Sequence, residues 1–127
     1  MKITSFNPMI VTNRPEEVLK FCEMFGFEKK HAPILKTPDG LEFTDYRLQN
    51  DTGFYMDVAA ISTPLPSEYP AIRINVDDFD EAYKFLTTYG YVPTHNMPPI
   101  ETESSKSIAL IGPGFTIYLV QHIKKED

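Results

Sequence analysis

The sequence predicts an α+β fold made of two tandem βαβββ modules. Three observations carry that prediction. First, EEVLKFCEMFGF (16–27) and DEAYKFLTTYGY (80–91) are two copies of one pattern. Lys20 and Phe21 match Lys84 and Phe85, Gly26 matches Gly90, and an aromatic follows each glycine. Second, each copy is preceded by a strand-like run and followed by three more. Third, the closing runs match in detail, Gly53-Phe54 with Gly114-Phe115. A module of roughly 60 residues is too small to bury its sheet alone, so the doubling suggests that two sheets together enclose what one cannot.

The elements follow in chain order. ITSFNPMIVT reads as the first strand, and Val11 stands two residues before the expected helix cap, Asn13. Asn13 and Glu16 have capping-box spacing, and Pro15 suits a first helical turn. Val18, Phe21, Cys22 and Phe25 fall at i, i+3, i+4 and i+7, one apolar stripe on a helix over about 14–25. Gly26 suits a left-handed C-cap. FEKKHAPIL, LEFTDYRL and GFYMDVAAI read as strands, with TPDG (37–40) as a turn. STPLPSEYP (62–70) is a stiff, proline-rich linker between a first module of about 1–61 and a second of about 71–127. AIRINV, ending at Val76, leads to a second helix over about 78–89. Asp78 and Glu81 have capping-box spacing there, Ala82, Phe85, Leu86 and Tyr89 form the stripe, and Gly90 is the C-cap. YVPTHNM, KSIALI and GFTIYLVQH complete the module, with a turn at GPG (112–114). The NMPPIETESSK loop is longer and more polar than its counterpart, and reads either as a lid or as a solvated connection.

Bulk composition narrows the function classes. The chain has 127 residues, 42% apolar and 24% charged, ordinary usage for a single domain. No run is apolar enough for a membrane span, and MKITSFNPM reads as a strand, not a signal peptide. The single Cys22 forms no internal disulfide, which fits a reducing, cytoplasmic setting. A net charge of −6 argues against a nucleic-acid surface. It fits a neutral or cationic small ligand, or simply keeps the protein dissolved.

VTNRPEEVLKFCEMFGFE, VDDFDEAYKFLTTYGYV and the closing GPGFTIYLVQ resemble segments of the vicinal oxygen chelate superfamily, and the resemblance covers essentially the whole chain. That superfamily includes glyoxalase I, extradiol dioxygenases, and fosfomycin and bleomycin resistance proteins. The resemblance implies a cupped mixed sheet around a cleft, with helices on the outside, and a homodimer in which modules pair within or between chains. Its metal-using members hold a divalent ion with a histidine early and a glutamate late in each module, leaving open positions for two substrate oxygens. Carried onto this chain, the early positions fall at Phe6 and Ala71 and the late ones at Asp57 and Tyr118. Only Asp57 is a good ligand, and shifting the count by one residue restores no pair. His31, His95 and His122 lack ligand spacing. They read as ordinary strand or surface histidines, with an alternative metal or acid–base set as the other reading. No metal and no cofactor is therefore expected.

If Phe6, Ala71, Asp57 and Tyr118 face the cleft, strand alternation brings Pro8, Ile10, Arg73, Asn75, Tyr55, Ala59, Thr116 and Val120 with them. The opposite parity, with Met9, Val11, Ile72, Ile74, Val76, Ile117 and Leu119, is more apolar and belongs under the helices. The candidate ligand-binding set is Phe6, Tyr55, Asp57, Arg73, Asn75, Thr116 and Tyr118, an aromatic pocket with few polar groups. Asp57 and Arg73 read either as ligand contacts or as a self-satisfying pair. Tyr55 and Tyr118 read as stacking or wall residues. Cys22 lies on the helix stripe and reads as an inert core thiol. Two function classes stay open. One is a metal-independent binder that sequesters a planar small molecule, resembling the bleomycin resistance branch. The other is a glyoxalase-like or dioxygenase-like enzyme using an unrecognised metal or Asp57 as a base. A protein–protein interaction role is a third.

Overall fold

The computed structural model describes every residue except 39, 63–68, 95–97, 113–114 and 124–127, and leaves the Tyr69 side chain undescribed. The linker core, His95 and Gly114 thus lie outside the described residues. The elements are β1 (Ile3–Thr12), α1 (Pro15–Met24), β2 (Glu28–His31), β3 (Ile34–Lys36), β4 (Glu42–Gln49), β5 (Tyr55–Ile61), β6 (Tyr69–Val76), α2 (Phe79–Thr88), β7 (Val92–Pro93), β8 (Ile100–Glu101), β9 (Ser105–Ile111) and β10 (Thr116–His122). The chain is α+β with mixed pairing. It divides into a first unit, Asn7–Pro70, and a second unit, Met1–Phe6 with Ala71–Asp127.

In the first unit the strand order is β2-β4-β5-β1, with β3 also on β4. β5 runs parallel to β1 and antiparallel to β4. α1 covers one face, where Leu19 and Cys22 pack with Leu48 and Val58, flanked by Val18, Phe27, Tyr46 and Met56. In the second unit the order is β6-β10-β9-β7, with β8 also on β9. β10 runs parallel to β6 and antiparallel to β9. There α2 brings Phe79 and Ala82 onto Val76, Ile108, Leu110, Ile117 and Leu119. The start of β1 is tied into this unit by Asp77 N–H donating to the Lys2 carbonyl at 3.1 Å.

The two helices begin differently. At α2 the expected cap is present: the Asp78 carboxylate accepts from the Glu81 N–H at 3.1 Å. At α1 the cap is Arg14, with no side-chain cap bond, so Asn13 does not cap it. Thr12 Oγ1 instead accepts from the Arg14 N–H at 2.9 Å. Both helices end as the glycines require, with Gly26 at φ 88° and Gly90 at φ 93°.

The helix stripes also need correction. Phe21 and Phe25 are 58% and 68% exposed, and Phe85 and Tyr89 are 51% and 65% exposed. In each helix these i, i+4 aromatics pack on one another, at 5.0 and 4.9 Å between ring centroids. The core-facing side is carried by Leu19 and Cys22 on α1 and by Phe79 and Ala82 on α2. The strand run 27–35 splits into β2 and β3, with a bulge between Lys29 and His31. Part of the NMPPIETESSK loop is regular: Ile100 and Glu101 pair with Ser107 and Lys106, and Thr102 N–H donates to the Ser105 carbonyl at 2.9 Å. Among the described residues no helix is long and apolar enough to cross a membrane.

Candidate functional site

Strand register assigns the faces. On β5, Val58 packs under α1, so Tyr55, Asp57 and Ala59 point to the far face. Met9 pairs with Asp57 and Val11 with Ala59, which places Asn7, Met9 and Val11 on that same far face. The expected parity of β1 is therefore reversed: Phe6, Pro8 and Ile10 do not share Asp57's face. This is the same error as the helix cap. With Arg14 rather than Asn13 matched to Asp78, Asn7 corresponds to Ala71 and Met9 to Arg73. The pairings agree, since Met9 opposes Asp57 just as Arg73 opposes Tyr118. The corrected quartet is Asn7, Asp57, Ala71 and Tyr118. Phe6 is 58% exposed and belongs to the second unit.

The far face of the first unit is built from charges. Asp57 is fully buried and accepts from Asn7 Nδ2 at 3.0 Å. Arg47 stands directly opposite Asp57 on β4. Arg47 Nε donates to Asp45 Oδ2 at 3.2 Å, and the Asp45 side chain is fully buried. Two carboxylates and one guanidinium give this face a formal charge of −1. Tyr55 lies at its edge and is exposed. Sequence reasoning missed Asn7, Asp45 and Arg47. The available signal was DYR in β4, where two opposite charges two residues apart must share a face.

The far face of the second unit carries the opposite sign. Ala71, Arg73 and Asn75 pair with Thr116, Tyr118 and Val120, and all six are buried. Arg73 Nη1 donates to Asn75 Oδ1 at 2.6 Å. Tyr118 OH donates to Ser107 Oγ at 3.1 Å. The opposite parity, Val76, Ile117 and Leu119 with Ile74 beside them, packs under α2 as expected. Asp57 and Arg73 belong to different units, and each has a partner within its own.

The residues at the quartet do not fit a metal of the superfamily's kind. Asn7 is committed to Asp57, Ala71 has no donor atom, and the Tyr118 hydroxyl is bonded to Ser107. Among the described residues no three of His, Cys, Asp and Glu gather as ligands. His31 is exposed on β2, and His122 is exposed at the end of β10. Cys22 is buried under α1 as a free thiol. Burial raises its pKa, the Glu23 charge adds to that, and a backbone hydrogen bond partly opposes it.

No family model matches the sequence, and no curated protein matches it. Solved structures do match. Methylmalonyl-CoA epimerase from Mycobacterium tuberculosis superposes with a TM-score of 0.67 at 14% identity, over 96% of this chain and 90% of the other. A glyoxalase/bleomycin resistance protein/dioxygenase superfamily member from Vibrio splendidus 12B01 gives 0.58 at 19% identity, over 94% and 99%. A mutant of 4-hydroxymandelate synthase from Streptomyces coelicolor gives 0.57 at 10% identity, over 99% of this chain and 50% of the other. All three are vicinal oxygen chelate structures, and the likeness spans nearly the whole of this chain; it has the vicinal oxygen chelate fold.

Proposed function

We propose that this protein is a metal-independent small-molecule binder of the glyoxalase/bleomycin resistance type, a cytoplasmic homodimer that sequesters a flat neutral or cationic compound. The observation that carries this reading is the quartet Asn7, Asp57, Ala71 and Tyr118. Its one carboxylate is already held by an amide, and among the described residues no group of His, Cys, Asp and Glu completes a ligand set. Binding needs shape, stacking and a few polar anchors, and no acid or base. Within the first unit Tyr55 offers aromatic surface and Asp57 a carboxylate; within the second, Tyr118 offers aromatic surface and Arg73, Asn75 and Thr116 polar anchors. The cytoplasmic placement rests on the lone, reduced Cys22.

The test is a thermal-shift screen of planar aromatic compounds with a chelator present throughout. A specific ligand at a hundred times its Kd stabilises by about 2.7 kcal/mol. The reading expects such a ligand, with the shift reduced in Arg73→Met. A screen in which every hit requires added divalent metal contradicts it.

A second reading is favoured by the full burial of Asp57 beside Asn7: a metal-free enzyme with Asp57 as the base. The neighbours named as an epimerase and a synthase keep this class in view. Turnover of a ligand found in the screen, abolished in Asp57→Asn while binding persists, decides for it.

A further inference from the structure

The far face of the first unit carries a guanidinium that is fixed at one end and open at the other. Arg47 Nε donates to Asp45 Oδ2 at 3.2 Å. The Asp45 side chain is fully buried, whereas that of Arg47 stays 20% exposed. Among the described residues, neither Nη nitrogen of Arg47 makes a hydrogen bond, and neither is sealed from the surface. Arginine and carboxylate often meet through two parallel bonds. Here the bond to Asp45 engages Nε and leaves the Nη edge outside it. A guanidinium is planar, so pinning Nε to a buried carboxylate sets the direction of that edge before any ligand arrives.

We propose that Arg47 determines which ligand this protein takes, and that its Nη edge receives the ring carbonyl oxygen of a neutral planar compound. The inference rests on the binding reading and lies wholly within the first unit. Charge selects the acceptor. Arg47 and Asp45 cancel as a pair, and Asp57 stands directly opposite Arg47. An anion entering here meets two carboxylates for one guanidinium. A cation meets the guanidinium itself. A neutral carbonyl oxygen accepts charge-assisted hydrogen bonds and brings no charge of its own to desolvate. Shape agrees. Tyr55 pairs with Gln49, two residues along from the Asp57–Arg47 pair on the same face. Its ring, 53% exposed, is therefore a diagonal neighbour of Arg47, at a spacing that aromatic and long side chains span. A flat ring stacked on Tyr55 brings its edge, where a ring carbonyl sits, to the Nη side of Arg47.

Tricyclic probes of one shape separate the charge classes: acridone, neutral with a ring carbonyl; N-methylacridinium, a cation; and anthracene-9-carboxylate, an anion. Each is titrated by its own fluorescence, with chelator present, against wild type, Arg47→Met and Arg47→Lys. Circular dichroism confirms that each variant is folded. Arg47→Lys keeps a positive charge beside the buried Asp45, so it carries the test if Arg47→Met fails to fold. It lacks the planar fork, and is expected to lose the carbonyl as well. Wild type is expected to bind acridone more tightly than either ion. Each variant is expected to bind acridone about tenfold more weakly or worse, as loss of hydrogen bonds to a charged group does, with no such loss for N-methylacridinium. A wild type that prefers either ion, or folded variants that keep their affinity for acridone, overturns the role of Arg47 and leaves the binding reading standing. If no probe binds, the Arg47 inference falls and the wider ligand screen decides the binding reading. If acridone binds only with added divalent metal, both fall.

Discussion

The two modules of this chain share a framework and differ where chemistry is done. Under the helices they are alike: Leu48 and Val58 in one, Leu110 and Leu119 in the other, all buried beneath ten-residue helices ending at Gly26 and Gly90. On the far faces they diverge. The first unit buries Asp45, Asp57 and Asn7, with Arg47 half-buried beside them; the second buries Arg73 among Asn75, Thr116, Tyr118 and Ser107. Position for position, Met9 stands for Arg73 and Asp57 for Tyr118. Packing under a helix constrains volume and polarity tightly, so duplication preserved it. The far face lacks a helix above it within its own unit, and its charges could reverse.

The core claim has the largest expected effect. Leu48→Ala and Leu119→Ala each empty a fully packed site and are expected to cost about 2–5 kcal/mol, read by urea denaturation. A loss under about 1 kcal/mol in either module would mean that its helix is not seated as described.

The far faces come next. Asp57→Ala leaves the Asn7 amide buried without its acceptor, at a cost of about 1–3 kcal/mol. Tyr118→Phe removes the hydrogen bond to Ser107, for about 0.5–1.5 kcal/mol. The reverse order would show that the acidic face is the less tightly held of the two.

The helix starts sharpen the comparison further. Asp78→Ala should lose about 1 kcal/mol, the usual worth of a cap. Asn13→Ala should stay within about 0.5 kcal/mol, since its side chain caps nothing. Equal losses would restore Asn13 as a cap.

The smallest effect concerns Cys22. Its pKa is raised in the fold, so any stability linked to its titration is complete below the ordinary thiol pKa and declines only as pH climbs past it. Between pH 6 and 8 it should leave stability flat, and iodoacetamide should react slowly until the protein unfolds. Rapid alkylation of the folded protein would place Cys22 outside the first core.

Much of this fold was legible because duplication writes its own check. Gly26 and Gly90, each sixty-four positions from the other, mark helix ends that only a left-handed residue accepts. Asp78 was legible because a cap is a local event. Asn13 was not, because Asn, Arg and Pro in succession offer two starts, and the choice depends on Thr12 turning back to the Arg14 amide. That one-residue slip carried through β1, since a strand's faces alternate at every step. Phe21, Phe25, Phe85 and Tyr89 misled for another reason. Periodicity identifies an apolar stripe but not what covers it, and aromatics that pack on each other read the same as aromatics in a core. Asp45 and Arg47 went unremarked because charges on a strand usually face water. The burial of Asp45, and the half-burial of Arg47, depend on neighbouring strands that no local pattern reveals.

The most direct test of metal-independent binding is elemental analysis of protein purified without chelator, repeated after incubation with nickel, zinc, manganese and iron. The account predicts no stoichiometric metal under any of these conditions, with wild type and Asp57→Asn indistinguishable. One equivalent of metal per chain, lost in Asp57→Asn, would contradict it and make Asp57 a ligand within the vicinal oxygen chelate fold.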